Sequence, residues 1–227
     1  GAPVEWRDRL DQLPEAPLWF VANEFFDALP IRQFQRAGAG WREVVVGLEG
    51  ETLKPGLSPS APLAELAHRL ADTTDGDVVE LCPAARPAME ALAGRIARNG
   101  GAAIVVDYGD WRSKGDTFQA MEDHAFADPF AHPGHADLTA HVDFEVLAGA
   151  ASAAGSGHSR LTPQGVFLER LGITQRAQAL ARGLTGDALD TLVAAHRRLT
   201  HPDEMGNLFK VLGLYPTQAA PPPGLDR

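Results

Sequence analysis

Two short polar clusters in this chain have residue types and spacing that suit chemistry. The first is Asn23-Glu24-Phe25-Phe26-Asp27, directly after the apolar run at residues 18–22. The second is Asp107-Tyr108-Gly109, directly after the apolar residues 102–106. A carboxylate at the end of a buried segment is costly to half-bury unless a partner offsets its desolvation. A guanidinium or ammonium group is such a partner, because Asp and Glu take it in charge-assisted, sometimes bidentate, hydrogen bonds. The plainer alternative is that Asn23 or Asp27 caps a short turn.

The elements that must carry these clusters are strands. A short, continuous apolar run reads as a strand buried on both faces. In open α/β sheets, ligands collect outside the carboxyl ends of such strands. If the two strands are parallel neighbours, Asn23, Glu24, Asp107 and Tyr108 converge on one acidic crevice. Between them, Met89, Leu92, Ala93 and Ile96 fall at i, i+3, i+4 and i+7, one face of a helix. Gly100-Gly101 stops that helix, and helix, glycine break, buried strand is the pattern of an α/β crossover.

Residues 31–36 and 41–48, on either side of Gly38-Ala39-Gly40, predict a half-exposed hairpin in which Val44, Val46 and Leu48 alternate. Residues 54–62 read as loop by composition, followed by a short helix over 63–70. Further helices are expected over 144–154, from the Thr162-Pro163 start to Leu171, and over 188–199, where Leu189, Leu192, Val193 and His196 share a side. A last strand covers 208–215, and the proline-rich residues 216–227 predict a loose tail. The expected organisation is a single α/β domain over residues 1–215.

The formal net charge of −10 over 227 residues speaks against nucleic acid, whose phosphates call for a basic surface. It leaves room for a cationic protein or peptide. One cysteine, Cys82, excludes an internal disulfide and reads as a small core residue between residues 78–81 and Pro83. No apolar stretch approaches a membrane span and no signal peptide is visible, so membrane insertion is not expected. A chain starting at Gly1 suits a processed product or part of a longer polypeptide.

Residues 110–143 have little apolar periodicity, and a loop of that length is usually functional or disordered. His124, His132, His135, Asp137, His141 and Asp143 lie within 20 residues, which raises a metal hydrolase as an alternative. The spacing matches no tight helical ligand pair. His132-Pro133-Gly134-His135 reads as a turn and Asp143 as a helix cap, so no metal is expected. The better account is a loop over the crevice in which Asp116, Thr117, Gln119, His124, Asp137, Thr139 and His141 contact substrate or hold the loop's own backbone.

Several long motifs occur in fixed order: residues 23–30, Asp107-Tyr108-Gly109, Gly115-Asp116-Thr117-Phe118-Gln119-Ala120, residues 136–144, Gln164-Gly165-Val166-Phe167-Leu168 and Met205-Gly206-Asn207-Leu208-Phe209-Lys210. Together they closely resemble the MidA-type family, whose mitochondrial members assist assembly of respiratory complex I. Members of that family look like class I S-adenosylmethionine-dependent methyltransferases, and a mitochondrial member is a protein arginine methyltransferase. The resemblance implies a partial class I, Rossmann-like sheet with an inserted hairpin and a C-terminal helical region. Residues 18–22 would be its fourth strand and 102–107 its fifth.

Asn23 and Glu24 would then lie nearest the S-adenosyl-L-methionine methyl group, with Glu24 and Asp27 as candidates to hold a substrate guanidinium. Asp107, Tyr108, Asp116, Thr117, Gln119, His124, Asp137 and His141 would face the substrate. The implied partner is a protein, a complex I subunit among the candidates, and a homodimer is left open. The implied compartment is the cytoplasm of a bacterium, or the mitochondrial matrix in a eukaryote. The family's glycine-rich cofactor turn has no counterpart before Asn23. A longer parent enzyme is therefore expected, with a non-catalytic assembly protein as the alternative.

Overall fold

The computed structural model describes residues 3–227. The strands are β1 (Leu18–Asn23), β2 (Arg32–Ala37), β3 (Gly40–Glu49), β4 (Thr52–Leu57), β5 (Val78–Leu81), β6 (Gly101–Asp110), β7 (Gln119–Glu122), β8 (Ala125–Ala127), β9 (Asp137–Thr139), β10 (Val142–Asp143), β11 (Ser156–His158), β12 (Thr162–Pro163) and β13 (Phe209–Pro216). The α-helices are α1 (Ala85–Asn99), α2 (Phe144–Ala153), α3 (Gln164–Arg170), α4 (Ile173–Ala181) and α5 (Asp187–Thr200). These elements form two compact units. One comprises the residues up to Phe25, Arg86–Trp111 and Asp143–Arg227; the other comprises Phe26–Ala85 and Arg112–Val142.

The first unit is built on a mixed sheet in the order β1-β6-β13-β11, with β12 also on β13. β1 is not buried on both faces as its apolar run implies, since Trp19 is 80% and Val21 71% exposed. It is a parallel neighbour of β6, the condition on which a shared strand-tip site depended, with Leu18 opposite Gly101 and Asn23 opposite Val106. Gly101 makes that pairing possible. Its φ is +99°, and a Cβ there would stand 2.0 Å from the Leu18 carbonyl oxygen. β13 lies antiparallel on the other side of β6. The helical face read from the sequence is fully buried: Met89, Leu92, Ala93 and Ile96 of α1 expose nothing. In α2, the Asp143 carboxylate accepts from the Val146 N–H as the expected cap, and Phe144, Leu147, Ala148 and Ala151 are buried.

Five other features depart from expectation in this unit and the next. Residues 216–227 do not hang loose: Leu225 is buried with Phe167 and Val211, against Ile104, Val106 and Leu168. Gly213 allows the tail across β13, since a Cβ there would meet Leu225 at 2.6 Å. Thr162 does not cap the following helix. Its hydroxyl donates to the Arg160 carbonyl while it pairs with Val211 in the sheet, and the helix begins at Gln164. Helix α4 was not expected, and none of its residues is buried, so no buried face announces it.

The second unit contains a sheet in the order β4-β3-β2-β5 and a smaller one in the order β8-β7-β9. Its core gathers Phe34, Trp41, Leu66 and Val79. Residues 54–57, expected as loop, belong to β4. Pro55 fits because β4 pairs only with β3 and so forms an edge, where a missing N–H is tolerated. Residues 119–139, also expected as loop, hold β7, β8 and β9, whose three or four residues are too short to show a period. Nearby, the Asp77 carboxylate accepts from the Thr74 N–H and hydroxyl and pairs with Lys114 at 2.7 Å. Those partners hold its pKa down from 3.8 to about 2.

Candidate active site

In the first unit the carboxyl tips of β1 and β6 sit side by side, and β13 enters from the same edge with Phe209 opposite Tyr108 and Lys210 opposite Asp107. The Glu24 N–H donates to the Val106 carbonyl at 3.0 Å, continuing the ladder one residue past β1. Glu24 has a φ of 48°, a left-handed conformation that costs a residue with a Cβ about 1–2 kcal/mol. Such strain persists only where the surroundings over-determine it. The Asn23 amide donates to Glu24 Oε1 at 3.1 Å, and both residues are exposed. The two therefore form one solvent-facing pair, a donor and an acceptor at the strand tip.

Asp107 and Tyr108 share that edge but point to opposite faces of the sheet, as consecutive strand residues must. Asp107 is fully buried on the side of Ala103 and Val105, and its Oδ1 accepts from the Tyr108 N–H at 3.0 Å. Tyr108 is half-buried, with its ring edge-on to Phe209 at 5.4 Å between centroids. The Lys210 ammonium donates to the Gly109 carbonyl at 3.1 Å and the Asn207 carbonyl at 2.5 Å. It thereby ties the Met205–Lys210 segment to the tip of β6. Sequence reasoning did not single out Lys210, although a lysine opening a buried strand is a visible signal.

In the second unit the expected residues gather around one that was missed. Glu80 is a buried carboxylate in the strand Val78–Leu81, 6% exposed. Its Oε1 accepts from Gln33 Nε2 at 2.8 Å and from the Thr117 N–H at 3.0 Å, and its Oε2 accepts from the Thr117 hydroxyl at 2.5 Å. The Thr117 hydroxyl in turn accepts from the His141 N–H at 2.8 Å. Gln33 also donates to Asp116 Oδ1 at 2.7 Å. One buried charge thus joins the Gly115–Ala120 motif to the segment at 136–144. A glutamate inside an otherwise apolar strand was the available clue.

Asp27 is buried, and its carbonyl accepts from the Ala140 N–H at 3.1 Å, which fastens the same segment a second time. Gln119 stands opposite Thr139, and Asp137, exposed, opposite Met121. His124 is brought to none of these. It is exposed at the β7–β8 turn, where Asp123 and His124 have φ values of 49° and 64°, the two positive values a tight hairpin requires. Among the described residues no three His, Cys, Asp or Glu side chains converge as a metal-ligand set. Burial raises the Cys82 thiol pKa above its ordinary value, outweighing hydrogen bonds from Ala85 and Ala84 that lower it. Among the described residues no helix is long and apolar enough to cross a membrane.

Comparisons with known proteins agree with this architecture. Residues 1–162 match a family model described as "Putative S-adenosyl-L-methionine-dependent methyltransferase". The chain is 37% identical over 222 residues to the human mitochondrial protein arginine methyltransferase NDUFAF7, covering 96% of this chain and 50% of that protein. It is 37% identical over 227 residues to the zebrafish protein of the same name, covering 96% and 52%. It therefore spans about half the length of these curated relatives. Among solved structures it resembles a protein from Burkholderia thailandensis crystallised with S-adenosyl-homocysteine, with TM-score 0.77 and 30% identity over 98% of this chain and 57% of that one. The chain therefore belongs to the S-adenosyl-L-methionine-dependent methyltransferase family that this model describes.

Proposed function

We propose that this chain supplies the substrate-facing half of a class I S-adenosylmethionine-dependent methyltransferase that methylates an arginine of a partner protein, of the kind that serves complex I assembly. The observation that carries the reading is Glu24, held in a left-handed conformation with its carboxylate in solvent at the tip of a parallel strand. The residues present fit one rim of a cofactor site. Neither parallel strand leads into a glycine-rich turn, since β1 is followed by Glu24-Phe25 and β6 by Trp111-Arg112. The rest of the cradle is assigned to sequence corresponding to the half of the relatives that this chain does not span. The bound cofactor supplies an electrophilic methyl group.

Arginine is an awkward nucleophile, with a delocalised lone pair and a pKa above about 12. Glu24 holds the guanidinium through charge-assisted hydrogen bonds and draws positive charge toward the nitrogens it contacts. This is positioning and electrostatics rather than strong base chemistry. In the second unit, the segment secured by Glu80 presents Asp116 and His141 as polar contacts for a protein substrate. The alanine- and glycine-rich composition favours a bacterial source and the cytoplasm.

The test is calorimetric titration of S-adenosylmethionine into this chain and into a version extended to the relatives' full length. Methyl transfer to an arginine peptide is followed in the extended protein. Binding by the extended protein, with a fall of about 100-fold or more in kcat for Glu24→Gln, is the expected result. Binding by neither would sink the enzyme reading and leave partner binding without catalysis.

A further inference from the structure

The β3–β4 hairpin is an amphipathic ribbon with one face uncovered. Its register sets Val44 opposite Leu57, Val46 opposite Pro55 and Leu48 opposite Leu53. Directly opposed residues share a face, as do residues two apart on one strand. These six apolar side chains therefore form one continuous strip. Val46 is 52% exposed, Leu48 71% and Leu57 38%. The other face is more polar: it carries Glu43, Glu49, Thr52 and Lys54 beside Val45, which is 44% exposed, and two glycines, and Lys54 pairs there with Glu49. A two-stranded ribbon is marginal in water by itself and gains stability when its apolar face is covered.

We propose that a second copy of this chain covers it, strip against strip, about a two-fold axis that sets the two ribbons antiparallel. No ionisable side chain lies within the strip, so stacking two copies buries no charge despite the chain's net −10. The ends of the ribbon are oppositely charged. Arg42 shares the parity of Val44, Val46 and Leu48 at the base, where its Nε donates to the Ser58 carbonyl, and Glu51 is exposed at the turn. Antiparallel stacking brings each Arg42 toward the other copy's Glu51, and an isologous contact makes that pair twice. Edge-to-edge pairing through β4 is disfavoured because Pro55 removes an N–H from that edge.

The exposed strip is on the order of 400 Å² per copy, about half of what a standard stable interface buries on each partner. The dimer is accordingly weak and reversible, with a Kd of roughly 10–100 μM. Sedimentation equilibrium of the chain from about 1 to 500 μM is expected to show that transition. The double variant Val46→Glu/Leu48→Glu, at two exposed positions, is expected to stay monomeric throughout with an unchanged circular dichroism spectrum. Arg42→Glu is expected to weaken the dimer at least tenfold, and Arg42→Glu with Glu51→Arg to restore it.

Trp19→Glu, on the exposed side of β1, should leave the constant unaltered. A monomer at every concentration, a dimer indifferent to the hairpin substitutions, or one abolished only by Trp19→Glu would overturn the proposal. Loss in the double variant without rescue by the charge exchange would overturn the antiparallel arrangement.

Discussion

Replacing Glu80 by alanine is expected to loosen the segments at 115–119 and 140–141 together, because one carboxylate holds both. Three hydrogen bonds end on it: from Gln33 Nε2 at 2.8 Å, the Thr117 N–H at 3.0 Å and the Thr117 hydroxyl at 2.5 Å. Gln33 keeps Asp116 as an acceptor at 2.7 Å, so its loss is small. Thr117 loses the acceptor of both its donors, and each unsatisfied donor costs about 1–3 kcal/mol. The total for Glu80→Ala is therefore roughly 2–6 kcal/mol, which spans the range for breaking a buried charged network.

Glu80→Gln keeps Oε1 but sets an amide N–H₂ against the Thr117 hydroxyl, which already accepts from His141. That hydroxyl proton then lacks an acceptor, at about 1–2 kcal/mol. Thr117→Val removes the same bond from the other side, so the two changes together should cost less than their sum by about 1 kcal/mol or more. Urea unfolding gives the global values. Because the chain has two compact units, amide hydrogen exchange at Thr117 and His141 gives the local ones. Protection there should fall about tenfold for each 1.4 kcal/mol lost. A Glu80→Ala variant within about 0.5 kcal/mol of the parent, with both amides as protected as before, would refute the idea that this charge secures the two segments.

Gly101→Ala should lower stability by more than about 3 kcal/mol, since it adds left-handed strain to a Cβ placed 2.0 Å from the Leu18 carbonyl oxygen; a melting temperature within a degree of the parent would contradict the close β1–β6 approach. The Asp77 carboxyl should titrate in the folded chain near 2 by NMR. Its folded pKa lies below its unfolded value of 3.8, so unfolding takes up a proton between those values. The stability it contributes is complete above about pH 4 and lost as pH falls toward 2, and Asp77→Asn should flatten that part of the acid limb. Cys82, half-buried with its thiol pKa raised by burial, should react with iodoacetamide at pH 8 at least tenfold more slowly in the folded chain than in urea; equal rates would count against its burial.

How far the sequence revealed the fold depended on whether each signal was local. Helix α1, the glycine break and β6 were legible because period and turn chemistry act within a few residues. Two apolar runs that end alike could suggest β1 and β6 as neighbours, but not that one face of β1 is open, with Trp19 80% and Val21 71% exposed. Strand β4 was hidden by Lys54-Pro55-Gly56, a loop by composition that becomes a strand only because β3 supplies a partner on one side. Strands β7 to β9 were hidden by length, their pairing set by long-range register such as Gln119 opposite Thr139. The tail was misread because Pro and Gly are taken for looseness, whereas here Gly213 and Gly224 let Leu225 reach Phe167.

The site shows the same division more sharply. Asn23 and Glu24 could be placed at a strand tip from sequence, but the left-handed turn at Glu24 could not, because it follows from the added ladder bond to Val106. Grouping Asp107 with Tyr108 used position along the strand and overlooked alternation, which sends the carboxylate into the core and the ring toward Phe209. That difference assigns them unlike tasks. A fully buried Asp107 organises the backbone at the tip of β6 through the Tyr108 N–H, whereas an exposed Glu24 is accessible to a ligand. Substituting Asp107 should therefore disturb folding before binding, and substituting Glu24 should do the reverse. If Asp107→Asn left the melting temperature unchanged while abolishing cofactor binding in the extended protein, the assignment of these two carboxylates would have to be exchanged.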